Sequence, residues 1–579
     1  MAIFLRGRVA LFLCFWFATV MHIYVPNMGG RGADLPQNSL AWIAMAGMVV
    51  LVWDVLPNKK CITLTVVGRL FFIGIFLLFI PQLYTRSEWS VHSFWRLAGL
   101  IGGGIFYFTL SQYRMPLSFR QPVLYAILFA VTLQTILALL QLFSPEQVHF
   151  WMDYDLGIGR PYGIFQQPNV LGSFIAMGLA LSLMLFLLPG FKLIKPRYEC
   201  LRIWLLATLL VLLPAVLVWV QSRIGWLSGA ITAVLMLLIL GGGISRRCVS
   251  AALLIVMGTG LALLVLWPNV VTEQGIRYIS HTSSNHARHT MLRDSLAMIA
   301  EKPLLGWGYG GFEYSFQHFR ITQSLPTVVT EIARHPHNEL LLWWIEGGVV
   351  ALAGMLVLIA GGTVLLLHAI RATQVNKNGE GFALCLVLLP LLLHTQTEYP
   401  FYLSVMHWML FLLLLAMLER RVMPVMQRRV LPYFPKVWGR RSIQVLALAT
   451  IVLMISALNG GYALTMAERS GFRLMSKVNT LPTFAVWMHQ ERQQFAEQMS
   501  SLLEFNRTGD EQLLEQYAQW AECYLDKRID ANVYATLLQI LYYQEQLVRA
   551  EQVRREAALL FPLDERFMVM AINNHKEAP

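Results

Sequence analysis

The chain has 579 residues, of which 56% are hydrophobic and 13% are charged. Soluble domains carry about 25% charged residues, so this composition excludes an ordinary globular protein. The net charge of +12 would suit a nucleic-acid-binding protein, but the basic residues cluster in short loops between apolar segments. That pattern is typical of membrane proteins, and we expect a lipid bilayer and no nucleic acid as partner.

About thirteen apolar segments follow one another, each long enough for a helix that crosses a hydrocarbon core of about 30 Å. They must be helices, because backbone polar groups in lipid need partners within the same segment. The first, residues 9–26, lacks a small-residue cleavage site, so we predict a retained span rather than a signal peptide. The predicted spans, within a range of about 11 to 14, are centred near residues 18, 48, 72, 104, 132, 180, 210, 232, 258, 353, 389, 410 and 453.

The distribution of Lys and Arg predicts the orientation. Alternate short loops on one side contain 21 of these residues and the opposite short loops contain 5, and the richer side is normally cytoplasmic. The N-terminus is therefore predicted to be cytoplasmic, with residues 268–337 and the tail outside. We predict an all-α polytopic membrane domain over residues 1–465 and a helical domain over residues 466–579, whose amphipathic pairs resemble tetratricopeptide hairpins.

The first polar segment, GRPYGIFQQPNVLGSF at residues 159–174, leads into the sixth span from outside. Arg160 can donate two parallel hydrogen bonds to a phosphate, whereas Gln166, Gln167 and Asn169 can bind sugar hydroxyls or amides. The alternative is a structural loop in which Pro168 makes a rigid turn and Asn169 lies near the N-cap of the next helix.

Two further arginines fall on the same predicted side. Arg223, in QSRIGWLSG, lies at the outer end of the seventh span, and Arg288 lies on an amphipathic stretch with Leu292 and Leu296 that suits a membrane interface. An ionisable residue at membrane depth is a functional candidate, although Arg223 could instead be a snorkelling anchor. The glycines between residues 306 and 311 do not form a nucleotide-binding loop, because no strand precedes them and no Lys-Ser/Thr pair follows.

The segment RHPHNELLLWWIEGG, residues 334–348, opens the tenth span. His337 can act as a general base, because an imidazole has an unperturbed pKa of about 6.5. The alternatives are a helix cap, a polar cluster, or a metal site with His335 and Glu339, and the metal site lacks a third well-spaced ligand. Glu346, about two turns below Asn338, is expected to orient polar groups or an arginine inside the bundle.

The segment HTQTEYPFYLSVMH, residues 394–407, forms the outer hairpin between the eleventh and twelfth spans. Glu398 and Tyr399 are candidate substrate-positioning residues, although Tyr399 and Tyr402 could be ordinary interfacial aromatics. All five polar segments fall on one face under an orientation derived from Lys and Arg alone. This convergence favours a site at the outer membrane surface for an amphiphilic substrate that carries phosphate.

At these segments the chain resembles the bacterial O-antigen ligase and polymerase superfamily, and within it the protein O-oligosaccharyltransferases that glycosylate pilins. RPYGIFQQPN resembles an Arg-Pro-x-Gly-x-x-x-Gln-Pro-Asn motif of that branch. RHTMLRDSLAMIAEKPLLGWGYGGF and HPHNELL resemble the periplasmic loop and histidine motif of the superfamily. EYPFY and the polar tail favour the pilin-glycosylating branch.

The resemblance implies a glycosyltransferase of the bacterial inner membrane with its active site and tail in the periplasm. It implies transfer of a glycan from undecaprenyl diphosphate to a Ser or Thr hydroxyl of a pilin-like or other periplasmic protein, without metal, nucleotide or other cofactor. His337 would be the catalytic base, and the diphosphate would be bound by Arg223, Arg288 and Arg160. The substrate-positioning residues would be Gln166, Gln167, Asn169, Asn338, Glu398 and Tyr399. Where this family often has Gly before the Gln, the chain has a Gln pair, so both amides are candidates.

Two rival functions share parts of this pattern. A ligase acting on lipid A core, or a repeat-unit polymerase, would have the same fold and a glycan hydroxyl as acceptor. A secondary transporter would also have about a dozen spans, but transporters carry polar groups near the bilayer midplane and often contain inverted repeats. Here the polar segments lie at one surface, and no repeat relates the two halves of the sequence.

Overall fold

The computed structural model describes residues 2–56, 62–240, 245–266, 282–323, 331–376, 379–423, 429–430 and 438–568. In these ranges the chain is almost entirely α-helical, with one antiparallel pair of two-residue strands, β1 (Thr63–Leu64) and β2 (Arg429–Val430). Helices before residue 282 are α1 (Ala2–Ala18), α2 (Pro36–Val55), α3 (Val66–Phe79), α4 (Ser87–Gln112), α5 (Leu117–Phe143), α6 (Pro145–Met152), α7 (Pro168–Leu187), α8 (Pro196–Val220), α9 (Arg223–Leu240) and α10 (Arg246–Leu266). Those after it are α11 (Thr282–Glu301), α12 (Phe312–Thr322), α13 (Glu339–Asn376), α14 (Glu380–His394), α15 (Pro400–Leu403), α16 (Val405–Val422), α17 (Trp438–Arg469), α18 (Met475–Asn479), α19 (Thr483–Val486), α20 (Gln490–Thr508), α21 (Glu511–Leu525), α22 (Ala531–Tyr543) and α23 (Leu547–Leu560).

A helix covers the centre of each predicted span. Within the described ranges, nine helices are long and apolar enough to cross a membrane: α2, α3 with its following 3₁₀ turn, α5, α7, α8, α9, α10, α13 and α17. The first and eleventh predicted spans correspond to shorter apolar helices, and α4 and α16 contain charged residues such as Arg96 and Glu419. The chain is therefore a multi-pass helical membrane protein, while the number of crossings and the orientation stay predictions.

The centre of the bundle is α7, whose apolar stretch is completely buried inside the protein. It packs against α9 with almost no space between the backbones: a Cβ added at Gly225 would lie 3.0 Å from the Cα of Gly172. Small residues permit such close approach between membrane helices. The contact brings the beginning of α9, with Arg223, next to the beginning of α7.

The glycine-rich loop that precedes α12 donates hydrogen bonds to backbone carbonyls at a break in α13. Gly348 has a φ of 62° and interrupts the helix. The N–H groups of Trp307 and Gly308 donate to the carbonyls of Ile345 and Glu346 at 2.8 and 2.9 Å. These bonds satisfy backbone groups that would otherwise be buried without partners. The glycines between residues 306 and 311, which do not form a nucleotide-binding loop, therefore belong to a loop that hydrogen-bonds to the broken turn of α13.

The tail helices α20 to α23 pack in sequence order, each against the next. They share an apolar core and rest on α12, because Arg528 pairs with Glu313 at 2.8 Å and His318 contacts Glu556 at 2.9 Å. The predicted boundary at residue 465 falls inside α17, which continues to Arg469. Whether the tail folds as a separate domain stays a prediction.

A polar cavity at one end of the helix bundle

The five polar segments meet at one end of the bundle, where four elements enclose a cavity of about 220 Å³. The elements are the N-termini of α7 and α9, helix α11, and the turn between α14 and α15. We call this space the polar cavity. Its lining consists of Arg160, Gln167, Asn169, Gln221, Arg223, Ile224, Arg288, Thr397 and Glu398. The cavity thus brings together residues of four of the five predicted segments.

Glu398 connects the walls of the polar cavity. Its Oε1 accepts hydrogen bonds from Asn169 Nδ2 at 2.6 Å and from Arg288 at 3.1 Å. Its Oε2 lies 3.2 Å from Gln167 Nε2 and 3.2 Å from His394 Nε2. Burial by itself would raise the pKa of this carboxyl, but the His394 hydrogen bond and the charges of His337 and Arg288 hold the pKa below its ordinary value. Glu398 is therefore a carboxylate at neutral pH.

Gln167 has two functions at the beginning of α7. Its Oε1 accepts from the N–H groups of Asn169 and Val170 at 2.5 and 3.1 Å, so it is the N-cap of the helix. Its Nε2 faces Glu398 in the polar cavity. The structural alternative considered for this loop is therefore confirmed: Asn169 lies near the N-cap, and the capping residue itself is Gln167.

The three predicted arginines all line the polar cavity. Arg160 donates to the carbonyl of Gln221 at 3.3 Å, Arg223 donates to the side chain of Asn285, and Arg288 pairs with Glu398. Burial and the neighbouring charge of Arg223 lower the pKa of Arg160, whereas the charge of Glu398 raises it. The net pKa of Arg160 lies below its ordinary value. Three guanidinium groups around one carboxylate make a site that attracts anions, and guanidinium geometry matches phosphate oxygens.

His337 lies beside the polar cavity in a left-handed backbone conformation with a φ of 54°. Its N–H donates to Nδ1 of His335 at 2.9 Å, so the proton of a neutral His335 is on Nε2. Burial lowers the pKa of His337, Glu398 raises it and Arg288 lowers it again, leaving it below its ordinary value. The imidazole is therefore neutral at pH 7 and can accept a proton.

Backbone strain is concentrated around the polar cavity. Among the described residues, six that are not glycine have a positive φ. Two of them, Gln166 (57°) and His337 (54°), belong to the predicted site, and a third, Gln221 (52°), lines the polar cavity. Such conformations are uncommon for residues with a side chain and are retained where surrounding structure imposes them. The clustering supports a functional role for this end of the bundle.

A second, larger cavity of about 1840 Å³ lies on the other side of the turn at residues 395–399. Thr397 and Glu398 line the polar cavity, whereas Thr395, Gln396 and Tyr399 line the large cavity. Other walls come from α4, the beginning of α13 and the tail. The cavity continues between the apolar side chains of α3, α13 and α14. Its aromatic lining includes His335, Trp95, Trp487, Trp520 and Tyr524.

Three predicted positioning residues lie outside the lining of the polar cavity. Gln166 occupies the strained position before the cap, so of the Gln pair only Gln167 faces the cavity. Asn338 Oδ1 accepts from Leu341 N at 3.0 Å, at the beginning of α13. Tyr399 stacks on His335 with 4.3 Å between ring centroids and borders the large cavity. The contact with His335 argues against the alternative that Tyr399 is only an aromatic residue at the membrane interface.

Sequence reasoning missed three buried polar residues behind Glu398: His394, Ser173 and His407. Each lies on a predicted membrane span next to apolar residues, which is the signal that could have identified them, because polar groups in membrane spans need partners. His394 also precedes Glu398 by four residues, a separation that places two side chains close together on one helical face.

Sequence comparisons place these elements in known families. Residues 207–356 match O-antigen ligases, and residues 382–573 match the C-terminal part of virulence-factor membrane-bound polymerases. Residues 161–186, which contain Gln167 and Asn169, match protein glycosylation ligases. The chain belongs to the O-antigen ligase superfamily. Within the superfamily, the match at residues 161–186 supports the protein glycosylation ligase type.

Family membership makes the chain a glycosyl-transferring enzyme whose partners are a lipid-linked glycan and a protein or lipid acceptor. The matched ranges contain all the arginines of the polar cavity except Arg160, and they contain both His337 and Glu398. No curated protein matches the chain.

Proposed function

We propose that this ligase-family protein transfers an oligosaccharide or polysaccharide from undecaprenyl diphosphate to a Ser or Thr hydroxyl of a pilin-like or other periplasmic protein. The polar cavity carries the proposal, because three arginines, one carboxylate and three amide residues line a small space beside a neutral histidine. A diphosphate brings negative charge that matches the excess positive charge of this lining. The match to protein glycosylation ligases over the segment with Gln167 supports a protein acceptor.

The proposed reaction is one inverting displacement. The acceptor oxygen forms a bond to the anomeric carbon while the bond from that carbon to the diphosphate oxygen breaks, and the electron pair leaves with the diphosphate. His337 takes the hydroxyl proton. Arg160, Arg223 and Arg288 stabilise the negative charge that develops on the leaving group, and the cavity walls hold the reactants in line.

The two cavities suggest separate routes for the two substrates. The diphosphate would occupy the polar cavity, and the acceptor would approach through the large cavity, whose wall includes His335 and Tyr399 next to His337. Tail residues such as Trp487 and Trp520 form the far wall of this route. The tail would thus contact the acceptor protein, which agrees with the expectation that paired amphipathic helices bind a partner.

The decisive test of the base is the substitution His337→Ala. General-base catalysis contributes on the order of 10²- to 10⁴-fold, so transfer of glycan to acceptor is expected to fall by that amount. The measurement is intact mass of acceptor protein incubated with lipid-linked glycan and purified enzyme. His368→Ala is the matched control, because His368 lies on α13 and lines neither cavity. Normal transfer by a folded His337→Ala protein would show that another group accepts the proton.

The acceptor route is tested by filling the large cavity. Cys523 is exposed and lines it, so Cys523→Trp is expected to raise KM for the acceptor protein while KM for the lipid-linked glycan stays unchanged. Cys200→Trp is the control, since Cys200 is exposed on α8 and borders neither cavity. An equal effect on both KM values would contradict separate routes.

Replacing the acceptor protein with core lipopolysaccharide or unmodified repeat units distinguishes the two rival acceptors by which product gains sugar.

A further inference from the structure

A line of hydrogen-bonded side chains extends from Glu398 into the apolar bundle. His394 Nε2 lies 3.2 Å from the carboxylate, and His394 Nδ1 lies 2.8 Å from the hydroxyl of Ser173. The Ser173 hydroxyl lies 3.3 Å from His407 Nε2, and His407 Nδ1 lies 2.9 Å from the hydroxyl of Ser404. His394, Ser173 and His407 have no exposed surface. The line connects α14, α7 and α16 to the polar cavity.

The chemistry of the partners gives this line a direction. A carboxylate only accepts, so Nε2 of His394 donates to Glu398, and a neutral His394 must then accept at Nδ1. The Ser173 hydroxyl can donate to that Nδ1 at 2.8 Å or to the carbonyl of Val170 at 3.1 Å, and the shorter contact is the one to His394. His407 Nε2 also faces the Val170 carbonyl, which only accepts, so this nitrogen carries hydrogen. This nitrogen lies closer to the Val170 carbonyl, at 3.1 Å, than to the Ser173 hydroxyl, at 3.3 Å, so the donors aligned toward Glu398 are Ser173 and His394. Hydrogen bonds aligned in this way strengthen one another.

Polar side chains inside a membrane bundle are costly and need a reason to be there. The line does not contact the polar cavity except through Glu398, whose remaining partners are Gln167, Asn169 and Arg288. All three of these residues line the cavity. The orientation of one carboxylate therefore sets the positions of two amides and one guanidinium.

We propose that His394, supported by Ser173 and His407, is a positioning residue that fixes the Glu398 carboxylate and thereby arranges Gln167, Asn169 and Arg288 around the diphosphate of the donor. The proposal rests on the proposed function, namely that the polar cavity binds the diphosphate. His394 touches neither substrate. Its contribution passes entirely through Glu398.

Two substitutions at one position separate this role from packing. His394→Gln can keep a donor where Nε2 stands and so keep the bond to Glu398, whereas His394→Asn is too short and keeps only the bond to Ser173. A hydrogen bond to a charged group contributes about 1.5–3 kcal/mol, so the loss of this one should weaken binding on the order of ten-fold or more. The probe is undecaprenyl diphosphate, with its Kd measured on the full-length protein in nanodiscs.

We expect His394→Asn to raise this Kd at least about ten-fold and His394→Gln to raise it by no more than about two- to three-fold. The effect of His394→Asn should also disappear when Glu398→Gln is already present, because the two residues act in series. Equal weakening by the two His394 variants, or an undiminished effect of His394→Asn in the Glu398→Gln protein, would overturn the proposal. Either result could occur while the wild-type protein binds the probe and transfers glycan, so it would leave the proposed function intact.

Ser173 provides a second test within one helix. Ser173→Ala removes the hydroxyl that supports His394 and should raise the Kd for undecaprenyl diphosphate. Ser182→Ala is the matched control, because Ser182 is also fully buried on α7 but donates only to the carbonyl of Gly178. Equal Kd values for the two alanine variants would contradict a role for Ser173. A failure of the wild-type protein to bind undecaprenyl diphosphate would instead refute the proposed function, and with it this inference.

Discussion

Two buried carboxylates lie at the same end of the bundle, and they are held in different ways. Glu346, on α13, pairs with Arg96 at 2.5 Å and accepts from the N–H groups of Gly310 and Phe312. Arg96 in turn lies over the rings of Tyr309 and Trp343, with its guanidinium carbon 4.8 and 4.5 Å from the two centroids. The expectation that Glu346 orients an arginine inside the bundle is confirmed.

The carboxylate of Glu398, in contrast, is held by side chains among the described residues and lines a cavity. The fixed backbone donors and the aromatic rings around the Arg96–Glu346 pair join α4, α13 and the glycine-rich loop. The movable partners of Glu398 are groups that can bind a substrate. From the kind of donor that surrounds each carboxylate, we expect Glu346 to serve stability and Glu398 to serve recognition.

The largest effect should come from breaking the structural pair. Arg96→Ala leaves Glu346 buried without its cation, and removing one partner of a buried pair costs about 3–5 kcal/mol. We expect a loss of folded protein after purification and a strongly lowered melting temperature in detergent. The exposed pair of Arg507 and Glu504 is the control, and Arg507→Ala should leave the melting temperature unchanged. A normal melting temperature for Arg96→Ala would show that the aromatic rings alone hold this region.

Substitution of the other carboxylate should separate activity from stability. Glu398→Gln keeps the side-chain volume but removes the charge that holds Arg288, Asn169 and Gln167. We expect transfer to fall on the order of 10- to 100-fold, as for loss of hydrogen bonds to a charged group, with the melting temperature close to that of wild type. Initial rates with saturating acceptor and varied lipid-linked glycan provide the measurement. A protein destabilised as much as Arg96→Ala would contradict the difference between the two carboxylates.

A smaller effect is expected in the pH profile of kcat/KM. The proposed mechanism needs a neutral His337, so activity should be full above the pKa of that imidazole and decline as the pH falls through it. Glu398 raises this pKa and Arg288 lowers it. Glu398→Gln should therefore move the acid limb to lower pH, and Arg288→Gln should move it to higher pH. Shifts in the same direction for both variants would show that His337 is not the titrating base.

Some of the site could be read from the sequence. Hydropathy over about 20 residues predicted the span positions, since the free energy of transfer to lipid adds up many local contributions. The counts of Lys and Arg placed the five polar segments on one face, and the structure brings them together there. The resemblance to protein glycosylation ligases, carried by RPYGIFQQPN and HPHNELL, agrees with the family matches. The catalytic role of His337 and the orientation stay predictions.

Other features depended on contacts between residues far apart in the chain. Glu398 and Asn169 are 229 positions apart, and their hydrogen bond requires a particular rotation of α7 against α14. The sequence could not decide between Gln166 and Gln167, because the choice depends on a strained backbone turn imposed by its surroundings. Nor could it show that the Asn338 side chain accepts from the first turn of α13 or that Ser173 lies between two histidines.

The sequence by itself determined that the chain is a multi-pass membrane protein with polar segments on one face, because partitioning into lipid depends on composition and on charge near each span. Tertiary structure decided which side chains line the polar cavity and what supports them. Helix rotation and the backbone contact of Gly172 with Gly225 set those distances. Hydrogen bonds require alignment within a few tenths of an ångström, and only the packed bundle provides it.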